Sequence, residues 1–471
     1  MNNKEFRQYA HQMVDWMADY FEQIEDYPVK AQVEPKEIYK QLPEQAPLKG
    51  EEMSVIFKDF QDIILPGITH WQHPNFFAYF PANTSFPSIL GEMLTATLGT
   101  QCMIWDTSPA AAELEERVMN WLRDLMGIPS SFEGVIQDTA STATLTAILS
   151  AREKVTNFES NQHGIAQNNF RVYCSTETHS SIEKAVKIAG LGKNNLVKIP
   201  VDNQLRMQAT ALEKAIQEDL KNGYRPICIV AAIGTTGTTA IDPLKEIAKI
   251  SQKFNIWLHV DAAYAGSALI LPEFQWMIEG IEQVDSFVFN PHKWLLTNFD
   301  CSVYFIKDKE NLLKTFEVLP EYLKTANRGI VNDYRDWGVP LGRRFRALKL
   351  WFVLRNYGVE GLQKQLRVHL SLAQALTTWI KNSPDFELLA PTTLNLVCFR
   401  YHPKNIQEEE MLNIINKKTL EQLNKNGRMY LTHTKINQKY TLRVVIGQTF
   451  VESHHIQRAW EQIQEIARKR A

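Results

Sequence analysis

The chain has 471 residues, too many for one ordinary hydrophobic core, so we expect two or three domains. Its 44% apolar and 22% charged residues are typical of a globular protein, and its net charge of −2 gives no basic surface for a nucleic acid. The longest apolar run, 227–233, is too short to cross a bilayer, and the N-terminus has no signal-peptide pattern. Five scattered cysteines indicate reduced thiols, so we expect a cytoplasmic protein. From the charge and the apolar runs we expect neither a nucleic-acid nor a membrane partner.

The N-terminal segment is predicted to be an amphipathic helix, because apolar residues recur at helical spacing from Phe6 to Ile24. Its apolar face packs either on its own domain or on a second subunit. Beyond another predicted helix at 51–63, the stretch 70–81 is rich in aromatic residues and has two prolines, which indicates a loop. No cysteine or carboxylate completes a ligand set with His70 and His73, so we predict no metal site.

A helix predicted at 113–126 precedes a short strand and a turn of small hydroxyl residues, Gly134–Thr144. The next predicted helix begins at this turn and runs through Lys154. The free N–H groups and the dipole of a helix start bind anions such as a phosphate group. An ordinary Ser/Thr cap uses the same N–H groups, so the two interpretations are compatible.

Strands and helices then alternate, with strands predicted at 170–175, 196–201 and 226–233. The alternation predicts an α/β fold, in which a mainly parallel central sheet has helices on both faces. Asp242 and Pro243 predict a helix start with Asp242 as its cap. The irregular stretch 320–329 is typical of a lid, and the strands and helices after residue 394 indicate a small α+β domain.

Two further strands contain the residues that point to chemistry. The strand 256–263 has one carboxylate, Asp261, near its C-terminal end, and the strand from Phe287 stops at Asn290, shortly before Lys293. A buried acid can cap a loop, and a lysine at the mouth of a core can reach water. Together they match what a pyridoxal phosphate enzyme requires: a carboxylate for the pyridinium nitrogen and a desolvated amine for a Schiff base.

Longer motifs surround these residues: His259-Val-Asp-Ala-Ala-Tyr-Ala-Gly-Ser267, Phe289-Asn-Pro-His-Lys-Trp-Leu-Leu296 and Asn298-Phe-Asp-Cys301. They closely resemble the aromatic-L-amino-acid decarboxylases, which are pyridoxal-phosphate-dependent group II decarboxylases. The resemblance extends from about Trp71 to the C-terminus. It implies an aminotransferase-like fold (fold type I) in three parts: an N-terminal helical segment that packs on the partner subunit (1–85), a large cofactor domain (86–350) and a small C-terminal α+β domain (351–471).

The resemblance also assigns the cofactor-binding residues. It implies that Lys293 links the pyridoxal phosphate, Asp261 pairs with the ring nitrogen and His179 stacks on the ring. The remaining cofactor contacts that it implies are Thr139, Ala140, Ser141, Thr236, Asn290 and His292. Asp138 stands where the family commonly has glycine, and we expect its acid to point away from the phosphate.

The substrate-binding residues follow from the same resemblance. They are Trp71, Tyr79, Phe80, Pro81, Ala82 and, supplied by the partner subunit of a homodimer, Gln101 and Met103. Ala82 replaces a threonine often found there, and the pair Gln101 and Met103 replaces apolar and aromatic residues of the animal enzymes. Gly342 and the aromatic loop fit an indole or phenol side chain, but the sequence does not name the amino acid.

The implied reaction is decarboxylation of an aromatic L-amino acid to its amine and carbon dioxide. Tyr322, in the predicted lid, is then the acid that protonates Cα, and it matches the tyrosine of the decarboxylases, where the oxygen-consuming aldehyde synthases typically have phenylalanine. An aldehyde synthase and an aminotransferase stay open as alternatives. A non-enzymatic scaffold is disfavoured because Lys293, Asp261 and His179 occur together.

Overall fold

The structure, a computed structural model, describes residues 1–165, 169–318 and 330–470. The chain forms two compact units. The first unit comprises Met1–Pro81, Leu372–Leu389 and Val397–Ala471, and the second comprises Ala82–Ser371 and Ala390–Leu396. The predicted division at 85/86 and 350/351 stays a prediction.

The strands of the described residues are β1 (Glu133–Gln137), β2 (Phe170–Ser175), β3 (Leu196–Ile199), β4 (Arg225–Ala232), β5 (Trp257–Asp261), β6 (Ser286–Phe289), β7 (Ser302–Ile306), β8 (Phe386–Leu388), β9 (Leu396–Tyr401), β10 (Thr432–Ile436) and β11 (Lys439–Val445). The α-helices are α1 (Asn3–Glu22), α2 (Glu37–Gln41), α3 (Met53–Asp59), α4 (Phe86–Leu98), α5 (Pro109–Leu125), α6 (Ala140–Thr156), α7 (Glu159–His163), α8 (Ser181–Ile188), α9 (Ala209–Lys221), α10 (Leu244–Phe254), α11 (Pro291–Trp294), α12 (Lys309–Phe316), α13 (Arg346–Lys381), α14 (Glu409–Lys425) and α15 (Ser453–Arg468).

The second unit is organised around a seven-stranded sheet in the order β1-β7-β6-β5-β4-β2-β3. The five neighbouring strands β6, β5, β4, β2 and β3 pair in parallel. Strand β7 is antiparallel to both of its neighbours, β6 and β1. The α/β fold with a mainly parallel sheet, predicted from the sequence, is therefore confirmed. Helix α6 packs against β4, β5 and β6, and α9 and α10 pack against β4. The strands consequently consist of long buried runs, as parallel sheets require.

The first unit contains a second, four-stranded sheet in the order β10-β11-β9-β8. Helices α14 and α15 pack on each other, and α14 covers β11. The loop 75–78 pairs with this sheet: the N–H of Phe77 donates to the carbonyl of Tyr430 at 2.9 Å, and the N–H of Val445 donates to the carbonyl of Phe77 at 3.1 Å. The helix predicted at the N-terminus is α1, which Asn2 and Glu5 cap reciprocally. Across the described ranges, no helix is both long enough and apolar enough to cross a membrane.

A buried histidine joins α6 to the centre of the sheet. Nδ1 of His259 on β5 lies 2.9 Å from the hydroxyl of Ser286, and its Nε2 lies 3.4 Å from the hydroxyl of Thr144. Burial lowers the pKa of His259 to about 4, although the nearby Asp261 opposes the shift. The ring is therefore neutral in the folded protein at neutral pH.

This lowered pKa predicts acid sensitivity. The unfolded chain binds a proton at His259 below about pH 6.5, whereas the folded chain resists protonation down to about 4, so this part of the stability is lost as the pH falls through that window. In urea titrations from pH 7 to 4.5, His259→Gln should reduce the slope of unfolding free energy against pH by up to about 1.4 kcal/mol per pH unit. His163→Gln, on the exposed face of α7, is the control. Equal slopes for His259→Gln and wild type would contradict the prediction.

Candidate active site

The candidate site lies at the edge of the sheet where the parallel strands end. There Oδ1 of Asp261, the last residue of β5, accepts the N–H of Ala263 at 3.1 Å. After the end of β6, the N–H of Asn290 donates to the carbonyl of Ala263 at 3.0 Å, so the two exit segments are tied together. The one-turn helix α11 follows and contains Lys293, whose N–H donates to the carbonyl of Asn290 at 2.9 Å.

Close packing fixes the backbone around Lys293. A Cβ added to Gly266 would lie 2.3 Å from Cβ of Phe289, so glycine is needed where these two segments meet. The ring of Trp294 stacks on Tyr264 with centroids 5.0 Å apart, and its Nε1 donates to Nδ1 of His369 at 2.9 Å. Lys293 is therefore attached to a rigid turn.

The charges of the site are unusual for a protein surface. Burial lowers the pKa of the Lys293 amine, and Asp261 partly opposes this shift. Burial and the neighbouring Lys293 lower the pKa of His292 to about 3, and its Nδ1 accepts the N–H of Cys301 at 2.9 Å. The site thus combines an amine whose charged form is disfavoured by burial, a carboxyl group and an imidazole that is neutral at neutral pH.

His179 belongs to the same neighbourhood. Partial burial lowers the pKa of His179, Asp261 raises it and Lys293 lowers it further, so all three side chains are within electrostatic reach of one another. Its Nδ1 accepts the N–H of Ser181 at 3.2 Å and lies 2.8 Å from the Ser181 hydroxyl. Sequence reasoning missed this role of Ser181, which a serine two residues after the histidine, at the first turn of a helix, could have indicated.

The turn predicted to bind a phosphate is the start of α6. Strand β1 runs in the same direction as β6, since both are antiparallel to β7, so this turn lies at the edge that also contains Lys293. The hydroxyl of Thr139 caps the helix by accepting the N–H of Thr142 at 3.4 Å, and Ala140 and Ser141 supply the first helical N–H groups. Asp138 uses Oδ1 to accept the N–H of Thr139 at 2.7 Å, so its acid bonds to the turn itself.

Thr236 lies exposed in the turn that follows β4. The hydroxyls of Thr235 and Thr238 bond across this turn at 3.2 Å. The prediction that Asp242 caps the next helix is wrong: α10 begins after Pro243 without a side-chain cap. Instead, the Asp242 carboxylate accepts the N–H of Ala232 at 2.8 Å and of Met207 at 2.7 Å, because these backbone groups are buried beside it. Burial raises the pKa of Asp242 to about 6.

The predicted substrate residues are distributed over both units. In the second unit, Oε1 of Gln101 accepts the N–H of Arg343 at 2.6 Å, and the carbonyl of Met103 accepts the N–H of Arg335 at 2.9 Å. A Cβ added to Gly342 would lie 3.3 Å from Nε2 of Gln101. Ala82, also in the second unit, is partly buried.

The aromatic loop belongs to the first unit. Its Trp71 and Tyr79 are exposed and stack with ring centroids 5.7 Å apart, while Phe80 is partly buried and Pro81 is buried. All four stay predicted substrate contacts. The predicted lid, with Tyr322, lies outside the described residues.

Another cluster in the first unit, Glu25, His454 and His455, has ligand atoms close enough for a metal ion. Nδ1 of His455 accepts the N–H of Glu452 at 2.9 Å, which leaves the proton of the neutral ring on Nε2, 3.1 Å from Oε1 of Glu25. A metal-bound histidine donates a hydrogen bond through its other nitrogen, whereas His455 accepts one there. These contacts define a hydrogen-bonded cluster.

An amine, a carboxylate and a helix start that meet at the carboxyl edge of a mainly parallel sheet define a fold type I pyridoxal phosphate enzyme. Lys293 fits the aldehyde of that cofactor, Asp261 its ring nitrogen and the start of α6 its phosphate group.

Comparisons with known proteins agree. The model of the pyridoxal-dependent decarboxylase conserved domain matches residues 35–402, and the chain belongs to this family. It is 43% identical to the phenylacetaldehyde synthase of Arabidopsis thaliana, over 99% of this chain and 96% of that protein. It is 41% identical to the aromatic-L-amino-acid decarboxylase of Catharanthus roseus, over 98% and 94%. The structure of Oryza sativa TDC with PLP and tryptamine superimposes with a TM-score of 0.97 at 35% identity, over 100% of this chain and 99% of that one.

These findings confirm the predictions of the family, the fold type, the pyridoxal phosphate cofactor and the class of enzyme, a carboxy-lyase acting on amino acids. The roles of the individual site residues stay predictions.

Proposed function

We propose that this chain works as a homodimer that removes the carboxyl group of an aromatic L-amino acid and releases the amine and carbon dioxide. The observation that carries the proposal is the partly buried Lys293 beside Asp261 and His179 at the carboxyl edge of the sheet. The aromatic substrate is supported by relatives named for aromatic amino acids and their products. Five buried free cysteines support a reducing compartment, the cytoplasm.

Bound pyridoxal phosphate supplies a carbonyl that condenses with amines and a conjugated ring that accepts the electron pair left when carbon dioxide departs. Lys293 would hold its aldehyde, Asp261 its ring nitrogen and His179 one face of its ring. Its phosphate group would contact Thr139, Ala140 and Ser141, with Asn290 and His292 at the border between phosphate and lysine. Thr236 would contact the cofactor from the turn after β4.

The residues of the chain would transfer protons and orient the cofactor ring. Because its pKa is lowered, the Lys293 amine gives up its proton more readily, which favours its action as a nucleophile and as a donor of a proton from Nζ. Asp261 would hold the ring nitrogen from the end of β5, and the hydrogen bond from the Ser181 N–H to Nδ1 orients the flat face of His179. Tyr322 is the proposed acid that delivers a proton to Cα after carbon dioxide has left.

Tyr322 also distinguishes the proposed reaction from that of an aldehyde synthase, the second candidate, which a 43% identical relative favours. Wild type should release amine and carbon dioxide from tryptophan, tyrosine, phenylalanine, DOPA or 5-hydroxytryptophan without oxygen uptake. Tyr322→Phe removes the phenolic proton, so amine should fall at least tenfold while aldehyde, ammonia, peroxide and oxygen uptake rise. Tyr39→Phe, the same substitution at an exposed position, is the control. Unchanged amine yield in Tyr322→Phe would assign protonation to another group, and aldehyde from wild type would favour the synthase.

The covalent link to the cofactor gives another prediction. Lys293→Ala removes the only amine that the proposal assigns to the aldehyde, so the visible absorption of the cofactor should be lost on dialysis, and borohydride should no longer fix cofactor to the chain. Lys184→Ala is the matched control, because Lys184 also acts on His179 but lies exposed on α8. Cofactor fixed by borohydride to a different lysine in Lys293→Ala would refute the assignment.

An exposed apolar stripe supports the homodimer. Helix α4 presents large exposed apolar side chains on each of its successive turns, namely Phe86, Leu90, Met93, Leu94 and Leu98. Burial of one such side chain contributes about 1.5–3 kcal/mol. Burying the whole stripe against a second copy of the chain would therefore stabilise the dimer by several times that amount. Gln101 and Met103, proposed to complete the partner's pocket, follow this helix directly.

A charge in the stripe should therefore separate the subunits. Leu94→Glu should shift sedimentation from dimer to monomer and abolish amine formation, because the monomer lacks the pocket residues of its partner. Leu220→Glu, at an equally exposed apolar position on α9, should remain dimeric and active. A fully active Leu94→Glu monomer would contradict the proposal.

A further inference from the structure

One buried arginine joins two segments that serve different active sites in the proposed dimer. Nη2 of Arg343 donates to Oε1 of Glu115 at 2.6 Å and to the carbonyl of Ile136 at 2.8 Å, and Nη1 donates to the carbonyl of Cys102 at 3.3 Å. Both charged side chains are almost completely buried, and the guanidinium lies over the ring of Tyr334 with its carbon 4.8 Å from the centroid.

On one side, this ion pair fixes the end of β1. Glu115 accepts the N–H of Ile136 at 2.8 Å while Arg343 donates to the carbonyl of the same residue, so both backbone groups of Ile136 depend on the pair. Three residues later Thr139 caps α6, where the cofactor phosphate is proposed to bind. Tilting the end of β1 would displace the N–H groups of that turn.

On the other side, the same residue holds the segment 101–103. The N–H of Cys102 donates to the carbonyl of Arg343 at 3.0 Å, and the N–H of Arg343 donates to Oε1 of Gln101 at 2.6 Å. Nη1 of Arg343 also donates to the carbonyl of Cys102. This segment contains Gln101 and Met103, which are proposed to act in the pocket of the partner.

We propose that Arg343, with Glu115, is a positioning residue that sets cofactor affinity in its own subunit and substrate affinity in the partner subunit. The inference rests on the proposed function, since it requires the dimer and the partner-supplied segment. A lysine at 343 keeps the charge for Glu115, but its single ammonium cannot span Glu115, Ile136 and Cys102 as the guanidinium fork does.

Two hybrid dimers, purified through different affinity tags on the two chains, separate the two effects. In the first, one chain has Arg343→Lys and the other has Lys293→Ala, so the working site belongs to the Arg343→Lys chain and receives an unaltered segment 101–103. We expect cofactor to bind it roughly tenfold more weakly, measured by the visible absorption of the Lys293-linked cofactor, with an unchanged KM at saturating cofactor.

In the second hybrid, a wild-type chain is paired with a chain that has both Lys293→Ala and Arg343→Lys. The working site is now wild type but receives the altered segment. We expect normal cofactor affinity and a KM raised several-fold. A merely destabilising substitution would not divide its effects between the two chains in this way.

The hybrid of wild type with Lys293→Ala is the baseline. If that hybrid is monomeric or forms no amine, the proposed function fails, whatever Arg343 does. If the baseline is active, any pattern other than the expected division, such as both defects in the first hybrid or none in either, overturns the role of Arg343. Should Arg343→Lys fail to fold, Glu115→Gln replaces it. The amide oxygen of the glutamine still accepts the Ile136 N–H, but the negative charge that pairs with Arg343 is lost.

Discussion

The parallel pairing of β5 with β6 is the constraint on which the candidate site depends. It aligns Asp261 with Val288, one residue before β6 ends, so the two exit segments leave the sheet side by side. Their backbones then bond at Asn290 and Ala263 and touch where Gly266 meets Phe289. An acid and an amine that are 32 positions apart in the sequence are thereby held in one low-dielectric neighbourhood.

Burial gives this edge its chemistry as much as residue identity does. Moving charged groups out of water favours their neutral forms, which lowers the pKa values of Lys293 and His292 together. Asp261 tempers the effect on the lysine because it is a nearby negative charge. This edge of the sheet therefore makes the amine easier to deprotonate while keeping it close to an acid.

The sequence predicted the features that depend on neighbouring residues, and missed those that depend on distant contacts. Alternating strands and helices revealed the sheet, and the motifs around Asp261 and Lys293 revealed the family, because strand, turn and functional side chain are contiguous there. The Arg343–Glu115 pair joins positions 228 apart, and no local pattern announces it. Asp242 matched a helix cap by local pattern, yet it bonds to backbone groups of β4 and of the segment before α9.

The first unit is built from segments that are far apart in the chain, which determines when it can fold during synthesis. Met1–Pro81 packs with Leu372–Leu389 and Val397–Ala471, and the loop 75–78 bonds to Tyr430 and Val445. On the ribosome, the N-terminal part must wait while the intervening 290 residues of Ala82–Ser371 are synthesised, which takes about 15–60 s at roughly 5–20 residues per second. During that interval, Phe21 of α1 is without the ring of Phe450, and the loop 75–78 is without its hydrogen bonds to Tyr430 and Val445. The nascent chain is therefore a natural client for chaperones until synthesis ends.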